Sequence, residues 1–382
     1  MKKLISIILL VCLCFSVSAC GGKSEPAPVD SGPGTSSLSS GTEKTDAKIN
    51  MIDLREQAGA EDVSEIFDYG DGFVGAIIKR TVDGEKKTFL RFIDTNYGWL
   101  AEGEYELGGS DFVFTVDRGD SHYVCFENST VEVSGDPRAV INVEPIDFRY
   151  SYERDDNLLY SPDGRWYATR EPDDPDKKGD AVVVEVATGE KTVPYEGVKT
   201  DNFEDTTASV PVGFAGSKFI FNIIGYEWMN GYGVIDLEDN SVETFATIYN
   251  LGAFPSTDHK TDRVPYLIEH EEFGYFDVND PLDREPLYNA DQPVRGKEAF
   301  SELLDGTTYF FPVSLAGGKY LGVVAETAQN EMLFAAFDFD TFEKVCEHKE
   351  SDYFNSYTLS GNSAAFLFES VSESKVLVIT LP

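Results

Sequence analysis

The residue types from which a catalytic or metal site could be built are 68 Asp and Glu, four His and five Cys in a chain of 382 residues. Nucleophilic hydrolysis needs a serine or cysteine on a sharp turn, with a histidine able to take its proton. The sequence holds no Gly-x-Ser-x-Gly, and its histidines, His122, His259, His270 and His348, form no His-Glu-x-x-His zinc motif. Paired carboxylates are too numerous to single out a glycosidase couple, because that chemistry demands a fixed separation across one bond. Calcium is the better inorganic candidate: Asp173, Asp174, Asp176 and Asp180 crowd one hairpin, EPDDPDKKGD, and hard cations favour loops dense in carboxylate oxygens. Against it, the spacing lacks the glycine and the distal glutamate of an EF-hand, and Lys177 and Lys178 interrupt the cluster. No cofactor motif is present, so calcium is the sole inorganic candidate.

Aromatic side chains offer a second chemistry, contact with a sugar or peptide through stacking and partial burial. Trp99, Trp166 and Trp228 each stand near a hairpin or a strand start. Tyr226, Trp228 and Tyr232 flank Asn230-Gly231, a turn signal, and are expected to cluster at a loop tip as a ligand contact.

The elements that must carry these residues are strands. From Asn50 onward, short apolar and aromatic runs alternate with turn signals such as Asp83-Gly84, Asp163-Gly164 and Asp305-Gly306. A short helix is expected over Lys297 to Leu304. One unit recurs seven times: a strand, a polar hairpin, and a second strand closing on Asp or its equivalent. Taking Asp94, Ser134, Val186, Asp236, Asp277, Asp338 and Ile379 as the closing positions, the period is about 47 residues. This is the length of a four-stranded propeller blade. The physical cause is burial, because a lone four-stranded sheet cannot cover both apolar faces, whereas blades stacked in a ring cover each other. The expected fold is all-β, a β-propeller of seven four-stranded blades over residues 50–382, with six or eight blades as alternatives. The last unit stops one strand short at Pro382, so a strand from about Asn50 to Arg55 is expected to complete it.

Residues 159–168, LYSPDGRWYA, followed by VVVEVATGE at 182–190, resemble a WD40-like repeat of the TolB type. In that family Ser-Pro-Asp-Gly makes the turn into a strand and Thr-Gly-Glu the turn that ends the next. The likeness covers about a tenth of the chain, other units match by layout alone, and the Trp-Asp dipeptide of WD40 blades is missing. TolB-like blades also precede the catalytic domain of prolyl-oligopeptidase relatives, but these 382 residues contain no α/β-hydrolase segment. The resemblance therefore implies a fold, not an activity.

Lys2 and Lys3, then an apolar run from Leu4 to Val17, make an export signal too short to span a bilayer. It ends in Val17-Ser18-Ala19-Cys20, which resembles the lipobox of bacterial lipoproteins and implies cleavage after residue 19 and a diacylglyceryl group on Cys20. Residues 20–49 read as a tether: of the 28 residues from 21 to 48, 17 are Gly, Ser, Pro or Thr. Its root-mean-square reach is about 30 Å, at roughly 5–6 Å per square root of residue number. The formal charge of −37 excludes a general nucleic-acid binder and leaves the lipid, not the body, as the contact with an anionic bilayer. Cys125 and Cys346 are the cysteines left in the body, either as buried thiols or as one bridge. Together these features predict a protein lipid-anchored on the extracytoplasmic face of a bacterial membrane. Its propeller is expected to bind an envelope protein, peptide or glycan without catalysis. The alternative is an envelope hydrolase or lyase, acting on a glycan or peptide from a carboxylate pair at the central channel.

Overall fold

The computed structural model describes residues 47–108, 112–118, 121–127, 129–146, 159–171, 179–197, 207–225, 229–246, 251–253, 262–268, 271–370 and 372–382. The signal, the tether and Cys20 lie outside them.

Among the described residues, twenty-eight strands form seven antiparallel blades. The first strand, β1 (Lys48–Asp53), belongs to the last blade. Blade I is β2 (Asp62–Gly70), β3 (Phe73–Val82), β4 (Glu85–Asp94) and β5 (Trp99–Gly108). Blade II is β6 (Phe112–Arg118), β7 (Ser121–Phe126), β8 (Thr130–Asp136) and β9 (Val140–Ile146). Blade III is β10 (Leu159–Tyr160), β11 (Trp166–Glu171), β12 (Asp180–Glu185) and β13 (Lys191–Thr192). Blade IV is β14 (Ala208–Ala215), β15 (Lys218–Ile224), β16 (Met229–Asp236) and β17 (Ser241–Ala246). Blade V is β18 (Leu251–Ala253), β19 (Arg263–Ile268), β20 (Glu272–Asp277) and β21 (Asp280–Asn289), joined to blade IV by one parallel bridge, Asn230 to Leu251. Blade VI is β22 (Thr307–Leu315), β23 (Tyr320–Thr327), β24 (Met332–Asp338) and β25 (Lys344–Glu350). Blade VII is β26 (Ser356–Ser360), β27 (Ser363–Glu369) and β28 (Ser374–Thr380), with β1 as its fourth strand.

Ring closure follows from this last pairing. β1 runs antiparallel to β28 from Lys48 opposite Thr380 to Asp53 opposite Lys375, two residues ahead of the expected start at residue 50. Ile52 points inward, 1% exposed, into a core shared by blades VII and I with Ile66, Val74, Ile93 and Val378. Asp53 then caps α1 (Leu54–Ala58), a short helix not anticipated from the sequence, through Oδ1 accepting from the Glu56 N–H at 2.9 Å. The anticipated helix is α2 (Lys297–Leu304), whose Phe300 and Leu304 fill the space between blades V and VI.

The middle strands explain why the sequence must fold this way. Phe73–Ile78, Met332–Phe337 and Ser363–Phe368 are buried at every position, on both faces, whereas outer strands such as β5 and β25 are exposed or half-buried at all but one position each. The six buried clusters each lie between successive blades, so a blade excised from the ring would expose two apolar faces. Two blades also use a glycine under a ring. Phe67 stands directly across from Gly75, and Phe221 from Gly233, and a Cβ on either glycine would come within 2.4 Å of the facing ring. Cys125 and Cys346 are both buried, in blades II and VI, and are not joined in a disulfide.

The TolB-like segment is a stapled turn. The Trp166 N–H donates to Ser161 Oγ at 3.0 Å, the Arg165 N–H donates to Asp163 Oδ1 at 3.0 Å, and Ser161 itself is 1% exposed. These hydrogen bonds account for Ser-Pro-Asp-Gly without any catalytic role for its serine.

Candidate functional site

Four blades share one turn between their third and fourth strands, and the differences among the four locate a site. Each turn begins at an acidic residue whose carbonyl accepts from a left-handed residue four positions on. The pairs are Gly98 N to Asp94 O at 2.7 Å, Gly189 N to Glu185 O at 2.8 Å, Asn240 N to Asp236 O at 2.8 Å and Phe342 N to Asp338 O at 2.9 Å. The φ angles of the four donors are 69°, 72°, 59° and 58°. In three of them the acid's Oδ1 also accepts from the backbone two residues on, at 3.0–3.1 Å. The third and fifth positions after the acid are exposed, although at the third Thr188 Oγ1 and Thr341 Oγ1 bond back to the acid's carboxylate at 2.8 and 2.9 Å. These positions are Thr188 and Glu190 in blade III, Asp239 and Ser241 in blade IV, and Thr341 and Glu343 in blade VI. In blade I they are Tyr97 and Trp99, 63% and 58% exposed, with parallel rings 4.7 Å apart and 9° between their planes. The turn geometry is thus satisfied by small polar or acidic side chains, and the aromatic pair is not needed to form it.

The blade I turn is also held firmly. Thr95, 1% exposed, donates its N–H and its hydroxyl to the Gly72 carbonyl, both at 2.9 Å, and its own carbonyl accepts from Thr380 Oγ1 at 2.5 Å. Lys48 Nζ donates to the Asn96 carbonyl at 3.1 Å. A Cβ at Gly98 would strike the Asn50 amide at 2.0 Å, so the β1 strand and the turn interlock there. The result is a rigid mount for two exposed rings.

A second concentration of chemistry lies on β2, innermost in blade I. Glu65 accepts from Thr115 Oγ1 of blade II at 2.8 Å, and burial pushes its carboxyl from 4.5 up to about 7, with Asp117 adding repulsion. Asp68 is raised by burial, partly offset by hydrogen bonds from Ser360 and the Gly70 N–H. His122 is 8% exposed, its Nδ1 2.5 Å from Asp117 Oδ1, its Nε2 3.2 Å from the Tyr69 carbonyl, and its ring stacked on Tyr69 at 4.2 Å. Both nitrogens are therefore committed to protein oxygens, and neither is open to a substrate. Where β2 begins, Glu369 of β27 accepts from the Val63 N–H at 2.8 Å. Burial raises the Glu369 carboxyl to about 7, reinforced by a hydrogen bond with the Asp62 carboxyl. Asp62 stands 3.9 Å from Lys79 Nζ.

The residues singled out from sequence are dispersed. Tyr232 is not at a loop tip. Asn230-Gly231 continues β16 instead of turning, and Tyr232 pairs with Asn222 on one side and Phe245 on the other. Its ring is 0% exposed, stacked on Phe276 at 4.2 Å, and its hydroxyl donates to the Pro281 carbonyl at 2.6 Å. Tyr226 and Trp228 lie outside the described residues, as do Asp173, Asp174 and Asp176, while Trp166 is buried in the core between blades III and IV. Asp180 spends its two oxygens on the Gly197 N–H at 3.2 Å and the Ser209 N–H at 3.0 Å, tying blade III to blade IV. Among the described residues no group of three or more His, Cys, Asp or Glu converges as a metal site would. Trp99 was singled out from sequence among three tryptophans, but its pairing with Tyr97 was missed, although it carried a readable signal. Aligned on the acid, DTNYGW stands beside EVATGE, DLEDNS and DFDTFE, and blade I alone of these four is aromatic at the two exposed positions.

No family profile and no curated protein matches the sequence. Among solved structures it is similar to an oligogalacturonate lyase in complex with manganese, at 13% identity over 87% of this chain and 91% of that one, with a TM-score of 0.50. It is similar to a prolyl endopeptidase at 12% identity over 85% of this chain and 50% of that one, with a TM-score of 0.50. A putative TolB from Agrobacterium tumefaciens aligns at 13% identity over 73% of this chain and 94% of that one, with a TM-score of 0.41. At these identities the likeness is one of fold, and the chain is a seven-bladed β-propeller whose function has to be argued from its own residues.

Proposed function

We propose that this chain is a bacterial lipoprotein, held by acylated Cys20 on the extracytoplasmic face of the membrane, whose propeller binds an envelope protein, peptide or glycan without catalysis. The observation that carries the binding reading is the Tyr97–Trp99 pair, two rings left in water on a turn whose three sisters do without them. Exposing that much aromatic surface on a rigid mount is unfavourable for a protein with no use for it, and rigidity lowers the ordering cost of binding. The commitment of both His122 nitrogens to Asp117 and Tyr69 supports the absence of base chemistry there. The anchor reading rests on the lipobox and on the long polar stretch before the first strand.

The test replaces Tyr97 and Trp99 by Thr and Glu, the pair that the blade III and blade VI turns carry, so that the turn keeps a side-chain set it is known to accept. Full-length lipidated wild type and variant are compared for binding to purified envelope glycans and envelope proteins. Loss of binding at unchanged melting temperature supports the reading, and equal binding by the two defeats it. In the same cells Cys20→Ser should move the chain from the membrane to the soluble fraction.

One observation favours the enzyme alternative. Glu369, raised to about 7 by burial, hydrogen-bonds the carboxyl of Asp62, itself 3.9 Å from Lys79 Nζ, so two carboxyls and an ammonium meet where the innermost strand of blade I begins. Such a couple could act as acid and base on a glycan or peptide. Turnover of envelope glycans or peptides by wild type, abolished in Glu369→Gln, would establish this reading over the first.

A further inference from the structure

We infer that the ligand of the Tyr97–Trp99 platform is an uncharged glycan, an inference that rests on the binding reading above and narrows it. Size is the first argument. A stable protein interface buries about 800 Å² on each partner, whereas two aromatic rings offer about 150–250 Å² each even when fully covered. The platform is not extended by the neighbouring apolar residues. Ile49 and Met51 are 42% exposed, but they alternate along β1 with Asn50, whose amide abuts Gly98, and so they face away from the turn. The apolar surface is therefore about as large as one or two sugar rings.

Its setting is the second argument. The turn that carries the rings is polar: Lys48 is fixed on the Asn96 carbonyl, the Asn50 amide packs against Gly98 between the two aromatic positions, and the Asn96 amide packs against Gly72. A sugar presents an apolar C–H face to an aromatic ring and hydroxyls around its edge, which suits an exposed ring carried on a polar turn. Charge is the third argument. At −37 the protein repels polyuronates and phosphorylated glycans over long range, and a polycation would be drawn to the whole acidic surface with no need for rings. An uncharged glycan is the class for which stacking, not charge, must supply the attraction.

The experiment uses the full mature chain and a panel of neutral hexasaccharides of glucose, xylose, mannose and N-acetylglucosamine, with polygalacturonate as the anionic counterpart. Binding is followed by calorimetry and by tryptophan fluorescence, and each probe is repeated on the Tyr97→Thr, Trp99→Glu variant. The expected result is saturable binding of at least one neutral hexasaccharide, weakened about tenfold or more in the variant, as loss of stacking of about 1.4 kcal/mol requires, with no binding of polygalacturonate. If no neutral hexasaccharide binds while a purified envelope peptide or protein does so in a manner that depends on the two rings, the glycan assignment is overturned and the binding reading stands. If polygalacturonate binds through the rings as tightly as the neutral sugars, the charge argument and the assignment fall together. If the variant changes the binding of no probe of any class, both readings are refuted.

Discussion

Replacing Glu65 by Gln should make the protein more stable in alkaline solution and leave it unchanged in acid. The wild-type carboxyl is held between blades I and II with Thr115 Oγ1 at 2.8 Å, and burial raises it from the ordinary 4.5 to about 7. The sign follows from proton counting. Between these two values the unfolded chain releases a proton that the folded chain keeps, so native stability is fully present below 4.5 and is lost as pH rises through 7. The gap, at about 1.4 kcal/mol per pH unit, amounts to about 3 kcal/mol. Gln keeps an oxygen that can accept from Thr115 and never ionises, so it escapes this loss. Urea denaturation of both proteins at pH 4 and pH 8 isolates the effect, because the repulsion of the other acidic groups is common to both. The expected difference is near zero at pH 4 and about 3 kcal/mol in favour of Glu65→Gln at pH 8. A difference of the same size at both pH values would refute the claim that this carboxyl is neutral in the folded ring near pH 6.

Gly75→Ala should destabilise the ring by about 1–3 kcal/mol, because its Cβ would meet the facing Phe67 ring at 2.4 Å in a core with no slack; calorimetric melting of the variant reads the loss. Tyr232→Phe should cost about 1–2 kcal/mol, since it strands the Pro281 carbonyl that the hydroxyl satisfies at 2.6 Å. That variant should bind every ligand as wild type does, and a change in ligand affinity without a change in urea midpoint would contradict the placement of Tyr232 in the core.

The blade count and the ring were legible because they follow from burial. Runs such as Phe73–Ile78 and Met332–Phe337 are apolar at every position, which a strand tolerates when both faces are covered, and seven such units at a constant spacing leave stacking in a ring as the way to cover them. Closure by an N-terminal strand was legible for the same reason: the last unit lacked a strand and the first residues of the body had one to spare. Tyr232 was misplaced because Asn-Gly is a local signal. The ladder partners Asn222 and Phe245 hold the backbone extended through it, a tertiary preference that outweighs a dipeptide's tendency to turn.

The site chemistry divides along the same line. By itself the sequence determined the strands, the repeat, the acidic charge and the expected N-terminal address, since each depends on residues adjacent in the chain. The exposure of Tyr97 and Trp99, the joining of Glu65 to Thr115 and the meeting of Glu369 with Val63 and Asp62 were decided by tertiary structure alone. Val63 and Glu369 are 306 residues apart in the chain and 2.8 Å apart across the seam where blade VII meets blade I. A hydrogen bond of that kind, and the raised carboxyl pKa that comes with it, depend on which blades the ring sets side by side and how much water they exclude, and no local pattern of residues encodes either.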